Sequence, residues 1–315
     1  MSDRDTWLDW RKDGIGASDV AAIIGLSPWA SPWSVWADKA GLLPPAPENE
    51  AMAAGRWLEA AIGPWFTHET GLHVTGEQTW CAHPDHGHHR CTVDGFVRDG
   101  PGYVLDGSDF DKALGLVEIK VTGPGRRWDV VPAHYQAQGQ WQMHVTGLPK
   151  VWFAVLTGRR LDIHELDRDQ DDIDFMVEHV DAFWHDHVLK GTPPATDGHD
   201  ATARALAEVY PGHMPDVSVE ADDELRRTIE WWRRAKDAAR EADAEVRLHA
   251  AAMKAALGDA EELTVDGQRA VSWRTQAARR LDTKALAAAH PDIAAEFTRE
   301  STTRVLRNHA PKEAS

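Results

Sequence analysis

The first 70 residues carry apolar positions at helical spacing, interrupted by glycines and prolines. An apolar residue at every third or fourth position is typical of an amphipathic helix. The pattern predicts four helices, over 6–12, 20–25, 32–39 and 51–70. Gly41 and Gly71 follow the last two of them, as expected because glycine often ends a helix. Ser18 or Asp19 is expected to cap the second helix through a side-chain oxygen.

From residue 72 the pattern changes to short apolar runs bounded by turn residues, which is typical of strands. The predicted strands are 73–81, 91–97, 102–106, 115–122, 150–158 and 161–167. Amphipathic helices are predicted over 133–147 and 170–189. Strands mixed with helices in this way build a sheet with helices packed on it. The predicted fold class is α/β, with a mixed central sheet flanked by helices.

The segment GTPPATDGHD, residues 191–200, has the composition of a linker. We predict one domain over 1–195, a linker over 196–218 and an extension over 219–315. The extension is predicted to contain one long helix over 219–257, a hairpin at Asp266-Gly267, two short helices and a last strand near 302–307. We expect it to serve packing, oligomerisation or DNA contact.

Composition and charge narrow the class of protein. The chain has 315 residues, of which 42% are hydrophobic, enough for a large core. No apolar run approaches the roughly 18 residues that span a bilayer, and the first residues do not resemble a signal peptide. We therefore expect a cytoplasmic protein that does not contact a membrane. The net charge of −17 argues against a protein that coats nucleic acid with a basic surface.

An acid at a strand end and an acid-x-lysine strand supply the candidate chemistry. Asp94 lies in CTVDGFV, and Glu118 and Lys120 lie in GLVEIKVTG. Residues two apart in a strand share a face, so Glu118 and Lys120 project together, while Ile119 points into the core with its carbonyl near the acids. Such a set is able to hold Mg²⁺ and activate water against a phosphodiester. The same spacing also suits a solvent-facing edge strand, and it does not decide between the two.

The flanking segments carry a family resemblance. They are RKDGIGASDVAAIIGLSPWASPWSVWADKAGLLPP, GRWLEAAI, TVDGFV, GLVEIKVTG and HYQAQGQWQMHVTGLPKVWFAVL. Together, over about residues 7–195, they resemble the YqaJ-like phage recombinase nucleases, a family similar to lambda exonuclease within the PD-(D/E)XK nuclease superfamily. The resemblance implies a restriction-endonuclease-like core. One departure is Val93 before Asp94-Gly95, where the family usually has proline.

The resemblance implies a role for each matching position of the catalytic centre. Asp94 and Glu118 correspond to the metal-binding acids, with the Ile119 carbonyl as a further ligand of Mg²⁺, or of Mn²⁺ in its place. Lys120 corresponds to the catalytic lysine. Glu59, in GRWLEA, corresponds to a helical glutamate over the metal site and is a possible further ligand.

Three further positions correspond to residues that contact DNA. Gln138, in YQAQGQ, matches a glutamine beside the scissile phosphate. Arg11 and Ser18, on either side of the GIGAS turn, match residues that hold the 5′-phosphate of a DNA end. Arginine forks onto phosphate oxygens, and a serine near a helix N-terminus lies beside free N–H donors. Ser18 as a simple helix cap is compatible with that role.

Two other segments have the composition of DNA contacts. Arg126 and Arg127 precede Trp128 in a glycine-bearing loop, which suits backbone contact and base stacking, or an ordinary surface loop. Trp29, in the SPW turn, suits stacking on a DNA end. Trp33 and Trp36, three apart on a helix, are expected to pack in the core.

The segment 81–91 is rich in metal-binding side chains. It contains Cys81, Cys91 and four histidines, which would allow a Cys₂His₂ zinc site, although the spacing is not that of a standard zinc finger. A polar loop, or histidines that touch DNA, are the alternatives.

The predicted activity is that of a metal-dependent 5′→3′ exonuclease on double-stranded DNA ends. The resemblance further implies a role in phage recombination, with a single-strand annealing protein as partner, in a bacterial or phage-infected cell. It also implies a homo-oligomer, with a ring-shaped trimer as one form. Two alternatives stay open: a structure-specific or nicking endonuclease on the same fold, and a catalytically silent DNA-binding or scaffold protein.

Overall fold

The computed structural model describes residues 3–45, 50–100, 112–123, 125–300 and 302–309. The chain divides into two compact units, Met1–Tyr210 and Pro211–Ser315. The predicted strand over 102–106 lies outside the described residues. None of the described helices has the length and apolar character needed to cross a membrane.

The first unit is a mixed α/β fold, as predicted. Its described helices are α1 (Asp3–Lys12), α2 (Ala17–Ile23), α3 (Pro32–Lys39), α4 (Glu50–Thr70), α5 (Ala133–Thr146), α6 (Gln170–Phe183) and α7 (Asp200–Val209). Its described strands are β1 (His73–Thr75), β2 (Thr79–Ala82), β3 (Arg90–Val93), β4 (Gly95–Arg98), β5 (Gly115–Thr122), β6 (Lys150–Thr157) and β7 (Arg160–Asp167). The central sheet has the order β1-β4-β5-β6-β7, and β2 pairs separately with β3.

Strand β5 lies at the centre of this sheet and is covered on both faces. It pairs antiparallel with β4 and parallel with β6. Val117 and Ile119 pack on the α4 side, with Ile62 and Phe66. Leu116 belongs to the opposite cluster, which includes Trp141 of α5. Because side chains alternate along a strand, the even-numbered residues of β5 face the α5 side.

Two predicted strands are each broken in the structure. Residues 73–81 form parts of β1 and β2, which belong to different sheets, because the backbone turns at Gly76 and Gln78, both with positive φ. Residues 91–97 contribute to β3 and β4, and the break falls at Asp94. Across Asp94 the alternation of Cys91, Val93 and Val97 continues, so the sequence pattern does not mark that break.

The C-terminal part of the first unit differs from the prediction. The α-helix predicted over 170–189 ends at Phe183 and continues as a π-helical turn, Trp184–Val188. The predicted linker over 196–218 contains α7, whose Ala201 and Ala205 are buried. The Oγ1 atom of Thr202 donates a hydrogen bond to the Oγ of Ser31 at 2.7 Å. Helix α7 is therefore part of the first unit.

The second unit is built on the predicted long helix. This helix, α8 (Asp223–Leu257), is followed by a hairpin of β8 (Glu262–Val265) and β9 (Gln268–Ser272), then by α9 (Thr283–Ala289) and α10 (Pro291–Phe297). The hairpin turns at Asp266 and Gly267, both with positive φ, as the dipeptide predicts. The strand predicted near 302–307 is wrong, since the described residues 302–309 form no strand.

Candidate active site

Asp94 lies between β3 and β4 and contacts β5 directly. Gly95 of β4 lies opposite Val117 of β5. Beside this pair, the Oδ2 atom of Asp94 accepts a hydrogen bond from the backbone N–H of Ile119 at 2.8 Å. Position 95 has room only for glycine, because a β-carbon there would lie 2.5 Å from Cγ1 of Val74. The strand pairing therefore holds the Asp94 carboxylate against the acid-bearing strand.

Glu118 is buried, and both of its carboxylate oxygens accept hydrogen bonds. Its Oε1 accepts one from Nζ of Lys120 at 2.6 Å and one from Nε2 of Gln138 at 2.5 Å. Its Oε2 accepts one from Nε2 of Gln142 at 2.6 Å. Gln138 and Gln142 are four apart on α5 and therefore share a face. Sequence reasoning missed Gln142, although this helical spacing from Gln138 was a signal that pointed to it.

Lys120 projects to the same side of β5 as Glu118, as predicted. Its Nζ also lies 4.7 Å from the ring centroid of Tyr135, a cation–π distance. Burial lowers the pKa of Lys120, but Glu118 and Asp94 raise it by more, so the pKa lies above the ordinary lysine value. In this arrangement Lys120 carries its proton and positive charge at neutral pH.

Glu59 of α4 reaches the same acids through a shared partner. The Nε2 atom of Gln78 donates to Oε2 of Glu59 and to Oδ1 of Asp94, both at 3.1 Å. Gln78 adopts a φ of +55°, a left-handed conformation that non-glycine residues seldom adopt. The residue was missed because a glutamine inside a predicted strand carries no distinguishing signal.

The three acids concentrate carboxyl groups in one place, where Glu118 is buried and Asp94 and Glu59 are partly exposed. Burial and the Glu118 carboxylate raise the pKa of Asp94 well above its usual range, and the same two causes raise the pKa of Glu59. A divalent cation would neutralise the charge of the ionised acids, and carboxylate and carbonyl oxygens are the ligands that Mg²⁺ prefers. The donors Asp94, Glu118, Glu59 and the Ile119 carbonyl therefore suit such an ion. The Gln78 amide bridges Glu59 and Asp94, and the three acids are not among the groups of described residues whose ligand atoms all lie within 4.8 Å of one another.

The turn that precedes α2 holds Arg11 and Ser18. Helix α2 begins at Ala17 with Gly16 as its N-cap, so Ser18 is not the cap. Instead, Oδ2 of Asp19 accepts a hydrogen bond from the Gly16 N–H at 3.1 Å. Ser18 lies one residue further along, in the first turn, with its side chain exposed.

Arg11 is fixed by a buried ion-pair network that the sequence did not reveal. Its Nη2 donates to Oδ1 of Asp19 at 2.7 Å, and the Nζ of Lys39 lies 2.8 Å from the other Asp19 oxygen. The Lys39 Nζ also donates to the backbone carbonyl of Arg11 at 3.0 Å. Burial raises the pKa of Asp19, but Arg11 and Lys39 lower it by more, so the aspartate remains ionised. About a third of the Arg11 side chain remains exposed.

One cleft of about 360 Å³ brings most of the predicted residues together. The predicted residues among its described lining are Arg11, Ser18, Glu59, Asp94, Glu118 and Gln138. Arg56 and Arg90 add positive charge to the same wall. Ile119 borders an adjoining cavity that Glu59 and Asp94 also line. Residues more than a hundred positions apart thus face one space.

Three predicted DNA contacts lie away from the cleft, since its described lining does not include Arg126, Arg127 or Trp29. Arg126 is exposed, and Arg127 donates to the carboxylate of Asp162 at 3.2 Å. Trp29 is 59% exposed, and its ring lies 5.9 Å from that of Tyr135, which contacts Lys120. Trp29 is therefore one side chain removed from Lys120. Trp33 and Trp36 are buried, as predicted.

The segment that contains the cleft residues is similar to known proteins. Residues 6–149 match the profile of the YqaJ-like viral recombinase domain. The uncharacterized protein YqaJ of Bacillus subtilis (strain 168) is 28% identical over 309 residues, which cover 96% of this chain and 92% of that protein.

Solved structures that resemble part of this chain include two exonucleases. The alkaline exonuclease LHK-Exo from Laribacter hongkongensis has a TM-score of 0.46 at 22% identity, over 60% of this chain and 94% of its own. A phage-related exonuclease from Haemophilus somnus 129PT has a TM-score of 0.42 at 12% identity, over 56% of this chain and 96% of its own.

Proposed function

We propose, from the match of residues 6–149 to the YqaJ-like viral recombinase domain and from the cleft, that the protein is a metal-dependent deoxyribonuclease that degrades double-stranded DNA from its 5′ ends. The observation that carries the proposal is the convergence of two side-chain sets in one cleft. Asp94, Glu118 and Glu59 supply acids, and Arg11 and Ser18 supply phosphate-binding groups. Such a cleft suits cleavage next to a terminal phosphate.

The acids would hold the cation that the reaction needs. Asp94 and Glu118, with the Ile119 carbonyl and Glu59, supply oxygen ligands for Mg²⁺ or Mn²⁺. A bound divalent ion makes water a better nucleophile and offsets the charge that develops on the phosphoryl oxygens. Ile119 supports this arrangement twice, because its N–H also fixes the Asp94 carboxylate.

The residues of β5 and α5 would orient the scissile phosphate. Protonated Lys120 donates a hydrogen bond to Glu118 and would donate instead to a phosphate oxygen when DNA is bound. Such a preorganised donor stabilises the transition state more than the ground state. Gln138 donates a hydrogen bond to the same Glu118 oxygen. Its amide would turn to the phosphate or to the attacking water when DNA is bound.

The Arg11–Ser18 turn would select the DNA end. Arg11 presents a guanidinium whose position is set by buried Asp19, and its remaining N–H groups are available to a phosphate. The Ser18 hydroxyl is exposed in the same cleft. A terminal 5′-phosphate bound there would place the next phosphodiester bond towards the acids, which gives the proposed 5′→3′ direction.

The match to a viral recombinase domain supports a role in phage-type recombination. We propose that it leaves 3′ overhangs for a single-strand annealing protein and works as a homo-oligomer, with a trimer as one form. Residues 211–315 carry 17 Lys and Arg against 19 Asp and Glu, so most of the net charge of −17 lies in the unit with the cleft. A second subunit would help to hold DNA near these acids.

The test is digestion of linear duplex DNA that carries either a 5′-phosphate or a 5′-hydroxyl, with Mg²⁺, with Mn²⁺ and with a chelator. We expect metal-dependent release of nucleotides, faster from the phosphorylated end. Glu118→Gln should remove the activity. Glu165→Gln, which alters an exposed ion pair with Lys150, is the matched control and should retain it.

Two outcomes would overturn the proposal. Cleavage of covalently closed circles would show an endonuclease, since a closed circle has no ends. Failure to digest either substrate with any metal would show a catalytically silent protein.

A further inference from the structure

A histidine cluster lies outside the cleft, between the β2–β3 loop and α6. His88 and His89 of the loop both direct Nε2 at Oδ1 of Asp181, at 2.7 Å and 2.9 Å. The His89 side chain is fully buried, while His88 and Asp181 are partly exposed. The residues of the loop and of α6 are 92 or 93 positions apart, so only the tertiary fold brings them together.

Asp181 is shared by two groups of potential metal ligands. The ligand atoms of His88, Asp181 and His185 lie within 4.8 Å of one another, as do those of His86, His89 and Asp181. Asp181 and His185 are four residues apart, at the junction of α6 with the π-helical turn Trp184–Val188. Single π-helical turns inside helices often occur at functional sites.

We propose that His88, Asp181 and His185 bind one Zn²⁺ ion, with a water molecule or His86 as the fourth ligand. Nitrogen and carboxylate ligands in a tetrahedral set are typical of zinc in proteins. Tetrahedral bonds of about 2.0–2.1 Å separate the ligand atoms by about 3.3 Å, so the 2.7 Å contact between His88 and Asp181 opens by a fraction of an ångström.

Hydrogen bonds from neighbouring histidines hold Asp181 in place, as is usual for a residue that binds a metal. His89 hydrogen-bonds the Asp181 carboxylate, and the Nδ1 of His89 lies 3.0 Å from Nε2 of His144. Hydrogen bonds of this kind orient the groups that bind a metal. The Cys₂His₂ set considered from the sequence is different, since Cys81 and Cys91 are buried opposite each other in the β2–β3 hairpin.

A zinc ion at this place would act on the cleft through the backbone. The carbonyl of His88 accepts the N–H of Ile15 at 2.7 Å, and the N–H of Arg90 donates to the Ile15 carbonyl at 3.0 Å. Gly14 approaches so closely that a β-carbon there would lie 2.6 Å from the His88 carbonyl oxygen. The ion would therefore tie α6 to the loop that supports the turn between Arg11 and Ser18.

The experiment measures zinc in the full chain after metal removal and dialysis against Zn²⁺. Millimolar Mg²⁺ is kept present so that the acids of the cleft are not free to bind zinc. We expect about one Zn²⁺ per chain by elemental analysis, and visible absorption bands of tetrahedral Co²⁺ when cobalt replaces zinc. Zn²⁺ at about 100 times its Kd should raise the Tm by roughly 5–10 °C.

His185→Ala and Asp181→Asn should both lose the zinc and the Tm shift. His185 is exposed, so its replacement carries little risk to folding. His179→Ala is the matched control, because His179 is an exposed histidine of α6 that contacts the Phe175 carbonyl instead. Zinc retained by His185→Ala, zinc lost by Glu118→Gln, or no zinc in the wild type would each overturn the proposal.

Discussion

Replacement of Gln142 by methionine tests whether α5 controls the acid site through Glu118. Gln142 is 1% exposed, and its Nε2 donates to Oε2 of Glu118 and to the carbonyl of Thr92. Methionine has a similar volume, so the change removes the donor without opening a large cavity. The buried carboxylate then loses the only hydrogen bond that the structure gives to Oε2 among the described residues.

The size of the effect follows from the charge on the acceptor. Hydrogen bonds to charged groups contribute about 1.5–3 kcal/mol, so Gln142→Met should lower the free energy of unfolding by that amount. Residues that orient a metal ligand change metal affinity by about 10–100-fold. The Mg²⁺ concentration that gives half-maximal DNA digestion should therefore rise by about 10–100-fold.

The assay is the rate of duplex digestion as a function of Mg²⁺ concentration, with urea unfolding measured in parallel. Gln140→Met is the matched control on the same helix. Gln140 is equally buried, but it donates to the Asp167 carbonyl and accepts the Asp169 N–H, away from the acids. It should lose a comparable free energy of unfolding and keep the wild-type Mg²⁺ dependence.

The reasoning is refuted if Gln142→Met has the Mg²⁺ dependence of the wild type. It is also refuted if both variants shift that dependence equally, because the shift would then reflect a general loss of stability.

Three other substitutions probe the remaining parts of the candidate site. Lys120→Met should lower the single-turnover cleavage rate by about 10²–10³-fold while the protein stays folded by circular dichroism; a wild-type rate would remove Lys120 from the chemistry. Arg11→Gln should reduce the preference for a 5′-phosphate over a 5′-hydroxyl by about tenfold or more, measured as the ratio of digestion rates, whereas an unchanged ratio would place the phosphate elsewhere. Because the pKa of Asp94 is raised, the folded state binds the Asp94 proton more tightly than the unfolded chain does. The free energy of unfolding therefore falls as pH rises from the ordinary aspartate pKa to the raised pKa of the folded state. Asp94→Asn should therefore melt above the wild type in a chelator at neutral pH and lose the Tm increase that Mg²⁺ produces; a lower Tm would contradict the origin assigned to the shift.

Local patterns predicted most of the elements that carry the candidate site. The alternation along 115–122 placed Glu118 and Lys120 on one face of a strand, and the structure has that strand at Gly115–Thr122. The helix ending at Gly147 is also present, with that glycine in the left-handed conformation. Both features depend on residues close in the chain, which is why the sequence contains them.

Other features of the structure were predicted wrongly or not at all from the sequence, because they depend on residues that are distant in the chain. The break at Asp94 arises because β3 pairs with β2 in a separate hairpin, whereas β4 pairs within the central sheet. The alternation of apolar residues does not encode this choice of partners. Ser18 was expected as a possible cap, but the Asp19 carboxylate bonds back to Gly16 and also holds Arg11. Helix α7 was predicted to be part of the linker because its apolar face is short and rich in alanine. That face packs against α3, which is distant in the sequence.

The types of side chain at the candidate site and the local geometry of Glu118-x-Lys120 follow from the amino-acid sequence. Backbone periodicity sets which neighbours share a face, and it acts over a few residues. The three-dimensional fold is needed to show that Asp94 contacts Ile119, that Gln78 bridges two acids, and that Asp181 contacts the histidines of a distant loop. Those contacts follow from strand order and from packing on the sheet. Because many such arrangements satisfy the same local pattern, only the complete fold selects one.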